Sequence, residues 1–203
     1  RWRHISSFVN VASISIVVIA AMAGTQSSLS AAIYYMINSV LVIFGLFLVA
    51  ALAERLSGPN TLQQGHLALY PWLGVAFFVV MLAAAGLPPT SGFIGKFSVA
   101  GALLGQEGWL PTVAVIISGL ILLYAGVQIW MTYFWGDPSR LRKAPLPGPM
   151  TLVTSVAVLL VAVLPFISGP VFELASQVAG HLDGNAPYLS ALFPDGNPAL
   201  GGN

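Results

Sequence analysis

The stretch AAAGLPPTSGFIGKFSV, from Ala83 to Val99, interrupts a long apolar run and decides how the chain is organised. The residues that break the run are Gly86, Pro88, Pro89, Ser91 and Gly92. A proline lacks the backbone N–H that a helix uses and clashes with the preceding turn, so no regular helix continues through two of them. Inside a membrane such a break is tolerated only where the freed backbone groups face protein or water. We therefore predict a discontinuous membrane helix at residues 86–92.

The composition of the whole chain is that of an integral membrane protein. Of its 203 residues, 57% are hydrophobic and only 6% are charged, against about 25% charged residues in soluble proteins. Cysteine is absent, which excludes disulfides and thiolate metal sites. A net charge of +1 argues against nucleic acid as a partner and leaves the lipid bilayer as the expected surroundings. Because the first residue is Arg1 rather than Met, we interpret the chain as part of a longer one.

The apolar segments predict an all-α fold with about five transmembrane helices. A helix needs about 20 apolar residues to cross the hydrocarbon core, and the predicted spans cover residues 5–24, 29–53, 70–105, 110–135 and 150–167. Residues 1–170 are then the transmembrane domain and residues 171–203 a C-terminal tail. Two alternatives stay open for residues 171–182: an amphipathic helix along the outer membrane face, or a packed or loose tail.

The third apolar region, residues 70–105, is long enough for one broken span or for a hairpin of two. Basic residues favour the cytoplasmic side of a membrane, and this bias discriminates between the two topologies. A single broken span places six of the seven basic residues on one side, namely Arg1, Arg3, Arg55, Arg140, Arg142 and Lys143. We therefore predict one discontinuous span, in a multi-pass protein of the cell (inner) membrane. Its basic loops are cytoplasmic and its tail lies outside.

Lys96 is the seventh basic residue and the one charge inside a predicted span. All six acidic residues fall at span ends or in loops. A charge at this depth is expensive and marks a functional site by default. Burial, and the positive N-terminal end of a helix capped by Thr90 or Ser91, both disfavour the charged form of the amine. We predict a proton relay; the alternative is a lysine whose amine extends to the headgroups.

Other polar residues inside the spans are weaker candidates for a water path: Asn10, Asn38, Ser39 and Gln128. Taken singly, each is more often a hydrogen bond between membrane helices. The sequence contains no nucleophile triad, phosphate loop, metal motif or dinucleotide fingerprint. We therefore predict no catalytic residues, no metal and no cofactor.

One family carries the same segment around the lysine. GLPPTSGFIGKF, residues Gly86 to Phe97, resembles the G-[IL]-P-P-x-S-G-F-x-G-K-F segment of antiporter-like proton-translocating subunits. These occur in NADH:quinone oxidoreductase and in multisubunit Mrp-type Na⁺/H⁺ antiporters. The resemblance implies that Lys96 is a proton-channel residue at a discontinuous helix. It also implies that the chain corresponds to the last third or so of a longer family member.

Three weaker stretches, at residues 34–47, 130–135 and 175–192, are similar to the D-type component of Mrp-type antiporters. This implies a transporter component that works with other subunits of a hetero-oligomeric complex and exchanges protons for Na⁺ or K⁺. Asn38 stands where many members have histidine, which puts a histidine relay there in doubt. The alternatives are a proton-pumping subunit of NADH:quinone oxidoreductase or a related hydrogenase complex, and a bundle that only scaffolds its partners. The sequence does not decide which cation is exchanged.

Overall fold

The computed structural model describes residues 2–57, 65–105, 109–135 and 145–183, and the regular elements in these ranges are all helical. In chain order they are α1 (Trp2–Met22), α2 (Gln26–Ser57), α3 (His66–Leu69), α4 (Pro71–Ala85), α5 (Ser91–Leu104), α6 (Trp109–Ile129), α7 (Gly148–Val163) and α8 (Ser168–Asp183). A π-helical turn, Trp130–Phe134, extends α6, and a 3-10 turn, Leu164–Ile167, joins α7 to α8. The predicted all-α class is confirmed.

Three continuous helical stretches are long and apolar enough to cross a membrane: Gln26–Leu56, Trp109–Phe134 and Gly148–His181. Their outer faces expose large apolar side chains, among them Phe44, Leu120 and Leu159. Water does not favour such faces, whereas lipid or further membrane helices match them. The described helices therefore form a bundle whose outside is as apolar as its inside.

The helices α4 and α5 follow one another along the central helix α2. Val80 of α4 packs beside Gly45, in the second half of α2, and Gly95 of α5 packs beside Tyr35, in the first half. With 15 and 14 residues, each is shorter than the roughly 20 residues that a membrane crossing needs. Together they cover the length that α2 covers alone, so the predicted discontinuous third span is confirmed.

The helix α6 runs antiparallel to α4 and α5 and contacts both. At its start, Thr112 Oγ1 donates to the carbonyl oxygen of Ala100 on α5, at 3.2 Å. Two turns later Gly119 lies beside Ala85, the last residue of α4, and Gly126 lies beside Met81. The helices α2 and α6 therefore hold the interrupted span on two sides at the level of the break.

The C-terminal helix α8 continues α7 and packs along the first turns of α2. The ring of Phe172 lies 5.6 Å from that of Tyr34, and the small residues Ala175 and Ala179 are buried in the contact. Of the two alternatives for residues 171–182, the structure therefore shows a helix packed against α2. The division into domains at residue 170 stays a prediction. Residues 184–203 and the basic residues at 140–143 lie outside the described residues.

The predicted fifth span, residues 150–167, ends at the 3-10 turn, but the helix does not stop at Gly169-Pro170. Pro170 is the third residue of α8, and the first turn of a helix makes no use of the N–H that proline lacks. Such a proline is tolerated there, so α8 begins directly after the turn and extends the helical stretch to Asp183.

Candidate functional site

The break between α4 and α5 begins at Gly86, which ends α4 in the left-handed conformation with a φ of 78°. Glycine adopts this conformation without the steric penalty that a side chain brings. The N–H groups of Gly86 and Leu87 both bond to the carbonyl of Leu82, at 2.9 and 3.1 Å. The carbonyls that follow, those of Ala84 and Ala85, are among the last four of α4 and are left without partners within the helix.

Lys96 supplies the missing donors. Its Nζ donates to the carbonyl oxygens of Ala84 and Ala85, at 3.0 Å in each case, and the side chain is only 7% exposed. We call these two acceptors the carbonyl pair. They lie at the negative end of the α4 dipole, where a cation is favoured. The amine is therefore held inside the bundle at the break and does not extend outward along α5.

This contact corrects the predicted electrostatics of the site. The sequence placed Lys96 near the positive N-terminus of α5, which disfavours an ammonium group. Because the side chain turns back over the break, its amine contacts the negative C-terminus of α4 instead. The two helix ends act on the charge in opposite directions, and the nearer one stabilises it.

The polar residues that open α5 have roles other than capping. Thr90 stands at the N-cap position, but its side chain makes no cap hydrogen bond; its Oγ1 donates back to the carbonyl of Leu87, at 2.7 Å. Ser91 is the first residue of α5, and its Oγ donates to Oδ1 of Asn38 at 2.7 Å. Both partners of this bond are buried, at 0% and 2% exposure. The bond ties the break to the middle of α2.

Gly92 allows α5 to begin directly against the end of α4. A Cβ atom at this position would lie 1.8 Å from the carbonyl oxygen of Ala83, closer than any side chain allows. A hydrogen atom is therefore the only substituent that fits here.

The remaining predicted polar residues are spread over the bundle. Ser39 is buried beside Asn38, and its Oγ donates within α2 to the carbonyl of Tyr35, at 2.8 Å. Asn10 is half-buried on α1. Gln128 lies on the exposed side of α6, where its Nε2 donates to the hydroxyl of Tyr124 at 2.9 Å. The structure thus brings Asn38 and Ser91 together and leaves Gln128 on an outer face; a shared water path stays a prediction.

Two tyrosines of α2 belong to the same region, and the sequence marked them only through the family resemblance. Tyr34 and Tyr35 are both fully buried. A Cβ atom at Gly95 of α5 would lie 2.8 Å from Tyr35 and 3.5 Å from Tyr34. Their rings therefore press on the turn of α5 that carries Lys96. Two consecutive tyrosines in the middle of an apolar span are the signal for this contact.

Two spaces adjoin this region. A cavity of about 440 Å³ lies between α5 and α6 beside Lys96, and its walls are apolar except for Lys96 and Thr112. A wider groove of about 700 Å³ lies between the start of α2, the second half of α5 and α8. Its polar lining residues are Gln26, Ser27, Ser30, Ser98 and Ser176.

Comparison with known families assigns the chain. A family model described as "NADH:quinone oxidoreductase/Mrp antiporter, TM" matches residues 5–122, more than half of the chain and all of the broken span. The chain belongs to this family. Together with its apolar helices, this identifies it as a multi-pass membrane protein of the antiporter-like class, as the lysine motif predicted.

Individual relatives narrow the similarity within the NADH:quinone oxidoreductase/Mrp antiporter family. The D-type component of the Na(+)/H(+) antiporter of Alkalihalophilus pseudofirmus is 29% identical over 84% of this chain, and that of Bacillus subtilis is 29% identical over 91%. The second N-type component of the NADH-quinone oxidoreductase of Roseiflexus castenholzii is 36% identical, but over only 53% of the chain. This chain spans 36%, 38% and 22% of the lengths of these three relatives, respectively.

The fold also matches a solved structure of the family. A chain in the Mrp complex from Dietzia sp. DQ12-45-1b superposes on 92% of this chain with a TM-score of 0.83, at 20% sequence identity. The match covers 44% of that chain. It confirms the helical architecture of an antiporter-like membrane protein.

Proposed function

We propose that this chain is part of a membrane subunit of a multisubunit cation/proton antiporter. The two D-type relatives from Na(+)/H(+) antiporters align with 84% and 91% of it, which includes the break and the helices on both sides. The protein exchanges protons for Na⁺ or K⁺ together with the other subunits of the complex. It is a transporter component without catalytic residues of its own.

Within that complex, Lys96 is the proton relay. The observation that carries this assignment is its buried amine, bound to the carbonyl pair at 3.0 Å. Both acceptors are neutral, so a proton can leave the amine without stranding a buried carboxylate charge. The carbonyls also hold the amine in one place, which a relay needs because protons move only between groups within hydrogen-bond reach.

The break supplies the two sides from which a proton reaches the amine. The cavity beside Lys96 opens on the α6 side, and the bonded pair of Ser91 and Asn38 lies on the α2 side. The discontinuity makes main-chain groups available to water at this depth, as in the broken helices of other transporters. Two half-channels that meet at Lys96 account for a proton path across the span.

Substitution of Lys96 in the full-length protein, within its assembled complex, tests the relay. We expect Lys96→Ala to abolish Na⁺-dependent proton flux in inverted membrane vesicles while assembly is kept. Lys96→Arg is the sharper variant, because arginine keeps the charge and the donors but does not release its proton. Ser155→Ala, on α7 far from the break, controls for handling of the membranes. Flux retained in Lys96→Arg or Lys96→Ala would overturn the relay, and tolerance of Ala would support a scaffold.

A second candidate rests on the relative from Roseiflexus castenholzii, which belongs to an NADH-quinone oxidoreductase. Under this alternative the same relay belongs to a pump driven by NADH oxidation. Purification of the complex separates the two functions: flavin and Fe–S proteins that copurify with the chain would support the pump, and cation-driven proton flux without NADH would support the antiporter.

A further inference from the structure

Gly119 of α6 lies directly against the carbonyl pair. A Cβ atom built on it would be 2.7 Å from the carbonyl oxygen of Ala85 and 3.5 Å from Nζ of Lys96. We propose that Gly119 is a positioning residue that keeps the Ala85 carbonyl aimed at the amine of Lys96. This inference rests on the proposed relay function of Lys96 and adds a residue that determines how the amine is held.

The atom that a side chain at 119 would meet decides the effect. The oxygen of Ala85 is a main-chain atom and cannot rotate away as the end of a side chain can. It is also the acceptor of one of the two hydrogen bonds of Lys96, at 3.0 Å. A methyl group at 119 would therefore displace this carbonyl, or push α6 away from the break. Either movement weakens the bond from Lys96.

Gly126 is a close neighbour that separates this effect from ordinary helix packing. It lies on the same helix two turns further on, and a Cβ atom there would be 2.5 Å from Cε of Met81. That atom is the end of a flexible side chain, which adapts to small changes of shape. The same Gly→Ala change thus meets a main-chain acceptor at one position and a movable methyl group at the other.

The test measures how tightly the amine is held, independently of transport. The full-length complex in native membranes is treated with a small amine-modifying reagent, and modification of Lys96 is quantified by peptide mass spectrometry. A hydrogen bond contributes about 0.5–1.5 kcal/mol, so we expect Gly119→Ala to raise the modification rate about two- to tenfold. Gly126→Ala should leave it at the wild-type value. Equal rates in the two variants would overturn the inference.

Proton flux from the same membranes distinguishes this inference from the relay itself. If Lys96→Ala transports normally, the relay fails, yet a raised modification rate in Gly119→Ala still shows that Gly119 holds the amine. If Lys96→Ala is inactive and Gly119→Ala modifies and transports like wild type, the relay stands and the positioning role is overturned. With both correct, Gly119→Ala loses about as much flux as its modification rate gains.

A second variant covers the case in which Gly119→Ala does not assemble. The same substitution is made in the Lys96→Met background, where there is no amine left to position. Residues that act through one another are non-additive, whereas a packing fault costs the same in both backgrounds. Assembly in the Lys96→Met background supports the inference, and failure in both backgrounds overturns it.

Discussion

At the scale of single residues, Lys96 does for α4 what a C-terminal cap does for an ordinary helix. The proline pair cannot donate to the last carbonyls of α4, and the amine of Lys96 reaches back to two of them. This arrangement satisfies main-chain acceptors that would otherwise be buried without donors, at a cost of about 1–3 kcal/mol each. The residue that stabilises the break is therefore also the residue that carries its charge.

The hydrogen bond from Ser91 to Asn38 is predicted to stabilise the break against α2. We expect Ser91→Ala and Asn38→Ala each to lower the melting temperature of the full-length complex. The double variant should lose little more than either one, because both remove the same bond, which is worth about 0.6–2 kcal/mol in a membrane. Ser39→Ala is the control, since its hydroxyl bonds only within α2. Additive losses in the double variant would contradict this.

At the scale of elements, the interrupted span is two short helices that share one track. The helices α4 and α5 occupy successive lengths of α2 and of α6. Because α5 starts directly against the end of α4, the two half-helices are fixed to each other by close main-chain contact as well as by side chains. The break is a rigid junction in this structure, and its geometry depends on Gly92.

We expect Gly92→Ala to destabilise this junction strongly. Its Cβ would lie 1.8 Å from the carbonyl oxygen of Ala83, and overpacking of this kind costs about 1–3 kcal/mol. The melting temperature of the complex and the yield of assembled protein should both fall. Gly101→Ala, on the same helix, is the matched control, because a Cβ there meets nothing within 4 Å. Equal losses in the two variants would show that the contact with Ala83 is unimportant.

At the scale of the whole molecule, α2 is the axis on which the described helices assemble. It has 32 residues, about 48 Å at 1.5 Å per residue, and α1, α4, α5, α7 and α8 all pack against it. Its basic residue, Arg55, lies in the last turn, and hydroxyl residues cluster at its start. The two ends of α2 therefore report the orientation of the whole bundle.

Orientation is predicted from the basic residues and is tested by cysteine labelling, because this chain has no cysteine of its own. We expect Arg55→Cys, exposed in the last turn of α2, to react with a membrane-impermeant maleimide from the cytoplasmic side. Ser27→Cys, exposed at the other end, should react from outside. Any native cysteines elsewhere in the full-length protein are first replaced. The reverse pattern would invert the predicted topology.

Local properties of the sequence determined where the span breaks and which side chain is charged there. Two adjacent prolines stop a helix wherever they fall, and a lysine among apolar residues stands out without any knowledge of its neighbours. The same local argument predicted the five apolar segments and the all-α class. The family assignment followed as well, because the motif around Lys96 is contiguous in the chain.

Only the tertiary structure decided what the amine of Lys96 contacts. Its acceptors are main-chain carbonyls, which every residue possesses, so no residue type marked Ala84 and Ala85 in advance. The bond between Ser91 and Asn38 joins residues 53 positions apart, and the contact of Gly119 with Ala85 joins two different helices. Such contacts depend on how helices cross, and crossing geometry is set by packing over the whole bundle rather than by local sequence.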